Sequence, residues 1–213
     1  MKKNNALFFS IVIVVVIALI LVIMVPLVLE NLNKGSYRFE VIDQGLKFQS
    51  NTAPPGELLQ ELKARPAVIV SPELYLQSPE NTEMSKALNL FTVLFTATGK
   101  RTNVVARVID ERGELLYCQT NEADLNTSTE LSVNECLQAL IPQANESVVL
   151  INMPQDKESE SRVVLTSNSI EIYSGGKAEN LEGISFFVLE KVYPDIKAIL
   201  EQVNKVPGSL ANK

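Results

Sequence analysis

The chain has 213 residues, with 25 acidic and 19 basic side chains, two cysteines and no histidine. Without histidine it cannot build a Ser–His–Asp triad, a Cys–His pair or an imidazole metal site, and two cysteines are too few for a four-cysteine zinc site. The net charge of −6 argues against binding to a phosphate backbone, so we expect no nucleic-acid partner.

The first predicted element is a transmembrane helix. Residues 6–29 are apolar apart from Ser10 and Pro26. At about 1.5 Å per residue this helix would be about 36 Å long, enough to cross a hydrocarbon core of about 30 Å. The run is longer than the apolar region of a cleaved signal peptide, and no small-x-small cleavage site follows it, so we expect an uncleaved anchor in the lipid bilayer. The predicted order is a basic tip over 1–5, the transmembrane helix over 6–29 and a juxtamembrane linker over 30–36.

The charges flanking this helix predict its orientation. Lys2 and Lys3 precede the helix, and Lys34 and Arg38 follow it closely, so the positive-inside count is nearly balanced. Long domains translocate largely regardless of their charge, and the short basic terminus is therefore expected to stay in the cytoplasm. We predict a single-pass membrane protein with its C-terminal domain outside.

Residues 37–206 are predicted to form one globular domain, followed by a flexible tail over 207–213. Apolar–polar alternation on both sides of Gly45 predicts a first hairpin, and a short helix is expected over 57–65. The apolar run 67–70 predicts a buried strand, followed by a loop through Pro72. An amphipathic helix is expected from Ser78-Pro79 to a C-terminal glycine at Gly99.

The second half of the domain alternates hairpins and helices without a regular strand–helix repeat, so a doubly wound nucleotide fold is not expected. Ser132 and Glu135 have the spacing of a capping box, which predicts a helix that carries Val133, Leu137, Leu140 and Ile141. The polar residues before it suggest a calcium loop, but Thr129 stands where that loop needs glycine, so a polar loop is expected. The other predicted elements are strands over 104–110, 114–119, 147–153, 163–165 and 170–173, and helical segments between 184 and 206 that break at Pro194.

The fold class expected is therefore an N-terminal single transmembrane helix plus one α/β (or α+β) domain. Its mixed sheet should have about six to eight strands, several hairpins and four to five helices on one or both faces.

Cys118 and Cys136 are the most informative candidate residues. They lie 18 positions apart, and a domain outside the cytoplasm permits a disulfide between them. Two buried thiols and a redox-active pair are the alternatives, although a thioredoxin-type site needs C-x-x-C spacing.

Asn126 and Asn145 each begin an N-x-[ST] sequon in a predicted loop and are candidate glycosylation sites. The carboxylates have ordinary roles as turn formers or solvated charges, and no pair has a spacing that indicates general acid–base work. We therefore predict no catalytic, cofactor-binding or metal-ligating residue.

These patterns favour a membrane-anchored, extracytoplasmic binding or assembly module that is not an enzyme and holds a protein or envelope partner. The alternative is an extracytoplasmic enzyme, or a thiol–disulfide protein, that uses carboxylates or the Cys118/Cys136 pair.

Overall fold

The computed structural model describes residues 37–76, 78–121, 128–153 and 160–205. Backbone contacts divide the chain into two compact units, Met1–Tyr37 and Arg38–Lys213, and the elements below belong to the second unit. None of the helices in the described ranges is long and apolar enough to cross a bilayer. The predicted transmembrane helix over 6–29, the tip, the linker and the tail lie outside the described residues.

One mixed sheet organises the domain. Its nine described strands are Phe39–Asp43 (β1), Leu46–Ser50 (β2), Ala67–Tyr75 (β3), Arg101–Ile109 (β4), Leu115–Asn121 (β5), Ser128–Leu131 (β6), Glu146–Asn152 (β7), Ser161–Leu165 (β8) and Ser169–Ser174 (β9). They lie in the order β1-β2-β8-β9-β7-β3-β4-β5-β6. The central strands β9, β7, β3 and β4 run parallel, whereas β5 and β6 add by antiparallel pairing on one side. On the other side β8 pairs antiparallel with β9, β2 pairs parallel with β8, and β1 closes a hairpin with β2.

The helices cover the two faces of this sheet unequally. The five described α-helices are Pro55–Ala64 (α1), Asn81–Ala97 (α2), Val133–Ala139 (α3), Leu181–Val192 (α4) and Ile196–Lys205 (α5). Side chains of α1, α2, α4 and α5 share one large core with the sheet, and α3 packs over a smaller cluster. Because neighbouring side chains of a strand point to opposite faces, Val68 and Val70 of β3 enter the large core while Ile69 enters the smaller one. We call these sides the helical face and the α3 face.

The chain leaves the sheet centre in two directions. From the carboxyl end of β3 the chain continues through α2 to β4 on one side, whereas from the carboxyl end of β7 it continues to β8 and β9 on the other side. The carboxyl ends of β3 and β7 therefore meet where the connections diverge. Open α/β sheets place ligand-binding crevices at such points. The sequence does not predict this parallel centre, because strands and helices alternate irregularly along the chain.

The predicted α/β domain is confirmed in coarse outline, and the number of helices agrees, but the sheet has nine described strands instead of six to eight. The additional strand is β6, in the stretch predicted as a polar loop. Its Glu130 is exposed, as suits an edge strand, while Leu131 packs toward α3. A short edge strand buries too few side chains to produce an apolar pattern.

Two predicted boundaries were also wrong. Strand β3 continues through Pro72 to Tyr75 instead of ending at Val70. Helix α2 begins at Asn81 instead of directly after Ser78, because Asn81 is tied to the end of β3. Its Nδ2 donates to the Tyr75 carbonyl oxygen at 2.6 Å, and its Oδ1 accepts from the Tyr75 N–H at 3.1 Å.

The end of α2 agrees with the prediction and leads to a buried lysine. Gly99 has φ +78°, the left-handed conformation that commonly follows a helix end. The next residue, Lys100, is buried and its Nζ donates to the carbonyl oxygens of Leu62, Lys63 and Arg65 at the end of α1. Burial lowers the pKa of the Lys100 ammonium. Lys100 therefore supplies donors to carbonyl groups at the C-terminal end of α1, where the backbone leaves acceptors in excess.

Candidate functional site

The predicted cysteine pair joins the sheet to α3. Cys118 lies in β5 and Cys136 in α3, and their sulfur atoms are at disulfide-bonding distance. The two Cα atoms are 5.4 Å apart, a usual separation for a disulfide. Both residues are fully buried, and Ile69, Val105 and Val148 complete the cluster around them. The structure thus brings the two cysteines that the sequence singles out to disulfide-bonding distance.

The start of α3 is held by the predicted capping box. The Ser132 N–H donates to Glu135 Oε2 at 2.9 Å, and the Ser132 hydroxyl donates to the same oxygen at 2.6 Å. These hydrogen bonds to the side chain and backbone of Ser132 lower the pKa of the Glu135 carboxyl group. The capping box and the disulfide together fix the position of a helix only seven residues long.

The outer surface of α3 is apolar. Of its seven residues only Cys136 is fully buried. Val133 is 37 % exposed, and Leu137 is 53 % exposed. Ile141, just after the helix, is 61 % exposed. Val133 and Leu137 are four residues apart and lie on one side of the helix. Together with Ile141 they are the exposed apolar residues that we call the α3 stripe. The sequence predicts the helix but does not indicate that this side of it faces outward.

A row of polar side chains crosses the α3 face beside this helix. Arg162 lies opposite Tyr173, with its guanidinium carbon 4.5 Å from the ring centroid, and the Tyr173 hydroxyl donates to Glu171 Oε2 at 2.8 Å. Four of the five α-helices pack on the helical face, which leaves much of the α3 face without a helix from the described ranges. The register places these side chains in the row: Lys47, Arg162, Tyr173, Asn152, Glu73 and Arg107.

Arg107 ends this row, and its side chain extends from β4 across β3 to β7. From β4, its Nε donates to the Ser71 hydroxyl of β3 at 3.0 Å, and its Nη2 donates to Asn152 Oδ1 of β7 at 2.9 Å. Nη2 also lies 3.2 Å from the Ser71 carbonyl oxygen and 3.3 Å from that of Ile151. Burial lowers the pKa of the guanidinium, against the opposing effect of the Glu73 carboxylate. Arginine nevertheless keeps its charge in proteins.

These contacts explain how a proline fits into a central strand. Pro72 has no N–H for the sheet ladder, and proline is therefore normally confined to edge strands. Here Pro72 lies opposite Ile151, and Arg107 donates to the carbonyl oxygens of Ile151 and of the adjacent Ser71. The guanidinium thus donates hydrogen bonds to carbonyl oxygens at the place where Pro72 supplies no N–H donor to the sheet.

Glu73 is the buried counter-ion of Arg107. The two residues face each other directly across β3 and β4, with Glu73 Oε1 3.5 Å from Arg107 Nη1. The other oxygen, Oε2, accepts the Met153 N–H at 2.8 Å. Sequence reasoning missed both residues, although an isolated arginine within the apolar run 104–109 is a signal that could have indicated them, since arginine is seldom buried without a partner.

A cleft of about 350 Å³ lies between α3 and the sheet, at the carboxyl end of β3 and β4. Glu73 and Arg107 form its polar part, and Gly113 lies in the hairpin between β4 and β5. The cleft also adjoins the α3 stripe through Leu137. Its remaining walls are apolar side chains: Ile109, Leu115, Leu137, Leu140 and Leu150.

The remaining candidate residues do not join this site. Asn145 is exposed in the turn before β7, as an acceptor for glycosylation must be, and its use stays a prediction. Asn126 lies outside the described residues, as do residues 124–127 at the start of the stretch with the calcium-loop pattern. In the part of the chain that the structure describes, no group of three or more carboxylate or cysteine side chains is arranged to hold a metal ion.

Comparison of the chain with protein-family models, with curated proteins and with solved structures found no match. The functional argument therefore depends on the α3 stripe, the cleft and the charges around them.

Proposed function

We propose that the protein is a membrane-anchored binding or assembly module whose domain lies outside the cytoplasm and holds a protein or envelope partner close to the bilayer. The observation that carries this proposal is the α3 stripe. An exposed apolar surface with a polar surround is typical of interaction sites, because exposing it to water is unfavourable unless a partner covers it.

The attachment of α3 supports this role. A seven-residue helix is too short to be stable by its own hydrogen bonds, and this one turns its larger apolar side chains outward. Its position is instead held by the buried Cys136 and by the capping box at Ser132. A surface held rigid before binding loses less conformational entropy when a partner docks.

The proposed location rests on two features of the chain. Residues 6–29 have the length and composition of a transmembrane anchor. The Cys118–Cys136 pairing in the domain favours an oxidising compartment, since cytosolic thiols are kept reduced.

The alternative of an exchangeable dithiol has weaker support. Reactive cysteines are normally accessible and lie in surroundings that stabilise the thiolate, whereas Cys118 and Cys136 are both fully buried in an apolar cluster. A structural disulfide that holds α3 agrees better with this burial.

Photocrosslinking tests the proposed interaction. A photoreactive residue placed at Ile141 in the full chain should form one discrete adduct in native membranes. The matched control is Leu76, which is 55 % exposed and follows directly after β3. Equal labelling from both positions, or the lack of a discrete adduct from Ile141, would contradict the proposal.

Protease digestion tests the proposed orientation. In intact cells an added protease should degrade the domain while a cytoplasmic marker survives. A domain that is cleaved only after the membrane has been opened would place it on the cytoplasmic side and overturn that part of the proposal.

A further inference from the structure

The cleft beside α3 combines an apolar wall with a neutral polar end. We propose that it binds an apolar side chain together with the backbone N–H and C=O groups of the residue that carries it, presented by a segment of a partner protein. This inference rests on the proposed binding function and names the chemistry that the site recognises.

The size and lining of the cleft set the apolar part of the ligand. Its volume of about 350 Å³ lies at the small end of the range for ligand pockets. Leu140 and Leu150 contribute apolar walls, and Leu137 links the cleft to the α3 stripe. One aliphatic or aromatic residue of a docked segment therefore suits the space, while its neighbours can extend along the stripe.

The polar end sets the second part of the ligand. Arg107 Nη1 is a donor and Glu73 Oε1 is an acceptor, and both belong to residues that line the cleft. Their separation of 3.5 Å is long for a charge-assisted hydrogen bond, which is typically about 2.7–2.9 Å. Both atoms therefore retain capacity for a further partner. A residue in extended conformation offers the matching acceptor and donor, because its own C=O and N–H groups are neutral and point to the same side of the chain.

The charges at this end disfavour ionised ligands. A carboxylate that approached Arg107 would also meet the carboxylate of Glu73, and an ammonium group that approached Glu73 would meet the guanidinium. Like charges at such distances repel strongly when they are shielded from water. A neutral amide avoids both conflicts.

The charge of the domain indicates a partner other than a second copy of this chain. Without Lys2 and Lys3 the basic residues number 17 against 25 acidic ones, so residues 30–213 carry a net charge of −8. Two such domains repel each other, whereas an apolar segment with neutral or basic flanks meets no such barrier. We therefore assign the cleft to a different protein that bears such a segment.

Methyl NMR of the full chain in lipid nanodiscs tests the recognition chemistry, with N-acetyl-L-leucinamide as the probe. Saturable shifts are expected for the methyl groups of Leu137, Leu140 and Leu150, with a Kd of about 1–10 mM for so small a ligand. N-acetylglycinamide lacks the apolar side chain, and 4-methylpentanoate replaces the amide with a carboxylate, so both should bind at least about fivefold more weakly. Equal binding of either control, or no saturable shift with the probe, overturns the inference.

A matched pair of variants guards against effects on folding. Leu137→Gln and Leu76→Gln change leucines of nearly equal exposure, 53 % and 55 %, and only Leu137 lines the cleft. Leu137→Gln should weaken the probe about fivefold or more, whereas Leu76→Gln should leave the Kd unchanged. Equal effects of the two substitutions contradict the assignment.

The crosslink from Ile141 separates this inference from the proposed function, because Ile141 does not line the cleft. If the adduct forms but the probe does not bind, only the cleft assignment fails. If the probe binds but Leu137→Gln leaves the adduct undiminished, the partner does not occupy the cleft, and the inference also fails. If no adduct forms at all, the proposed function itself fails.

Discussion

Removing the Cys118–Cys136 bond should release α3 while the rest of the domain stays folded. The two residues are 18 positions apart in sequence. In the chain-entropy model, closing a loop of that length stabilises the folded state by about 3 kcal/mol at 25 °C. The double substitution Cys118→Ala/Cys136→Ala should therefore lower the free energy of unfolding by about that amount. Its local effect should fall on α3, whose only fully buried residue is Cys136.

Hydrogen–deuterium exchange of the full chain measures this local effect. In the variant the amides of α3 should exchange much faster, whereas those of α2 should keep their protection, because Phe91 and Leu94 hold that helix in the large core. Wild-type protein treated with a dithiol reductant under mildly denaturing conditions should behave in the same way. Unchanged protection of α3, or a stability loss below about 1 kcal/mol in urea unfolding, would refute the argument that the disulfide holds this helix.

Three further perturbations test the polar contacts. Arg107→Met should lower the free energy of unfolding, measured in urea, by about 3–5 kcal/mol, because Glu73 is left buried without its cation. A loss below about 1 kcal/mol would contradict this, as would a double variant with Glu73→Gln that recovers no stability. Lys100→Met should lower stability by about 1–3 kcal/mol, since carbonyl groups at the end of α1 lose their donor, and an unchanged Tm would be the contrary result. The folded-state pKa of Glu135 is lowered, so its stabilising effect is complete above the unfolded-state pKa and is lost as the pH falls through the folded-state value. Thermal unfolding between pH 6 and pH 3 should thus depend less on pH in Glu135→Gln, and identical pH profiles would exclude a contribution from the capping box.

Local patterns made several elements predictable. The capping box of α3 and the glycine after α2 are short-range features, since the hydrogen bonds of Ser132 with Glu135 and the backbone conformation of Gly99 involve only neighbouring residues. The cysteine pair was also predictable, because the chain contains two cysteines and their pairing has one solution. The burial of both cysteines, and their attachment of α3 to the sheet, were not predictable.

Elements whose stability depends on distant partners were missed. Strand β3 passes through Pro72 because Arg107, which is far away in sequence, donates to the carbonyl oxygens beside it. From the sequence alone, a proline within a strand pattern indicates a loop, because the sequence does not show which distant residue supplies the missing donor. The cleft likewise depends on Glu73 and Arg107 meeting across two strands, and that register follows from the pairing of the whole sheet.

The sequence by itself determined the anchor prediction, the acidic character of the domain, its mixed α/β class and the pairing of its cysteines, because composition, short-range periodicity and the number of cysteines carry that information. Only the tertiary structure decided which apolar side chains are covered. Val133, Leu137 and Ile141 recur at helical spacing, as buried residues do, and yet they are exposed. Periodicity specifies which side chains share one side of a helix, but whether that side meets the core or the solvent depends on how the helix is attached. Here Cys136 attaches α3 to the sheet, and Val133, Leu137 and Ile141 stay exposed.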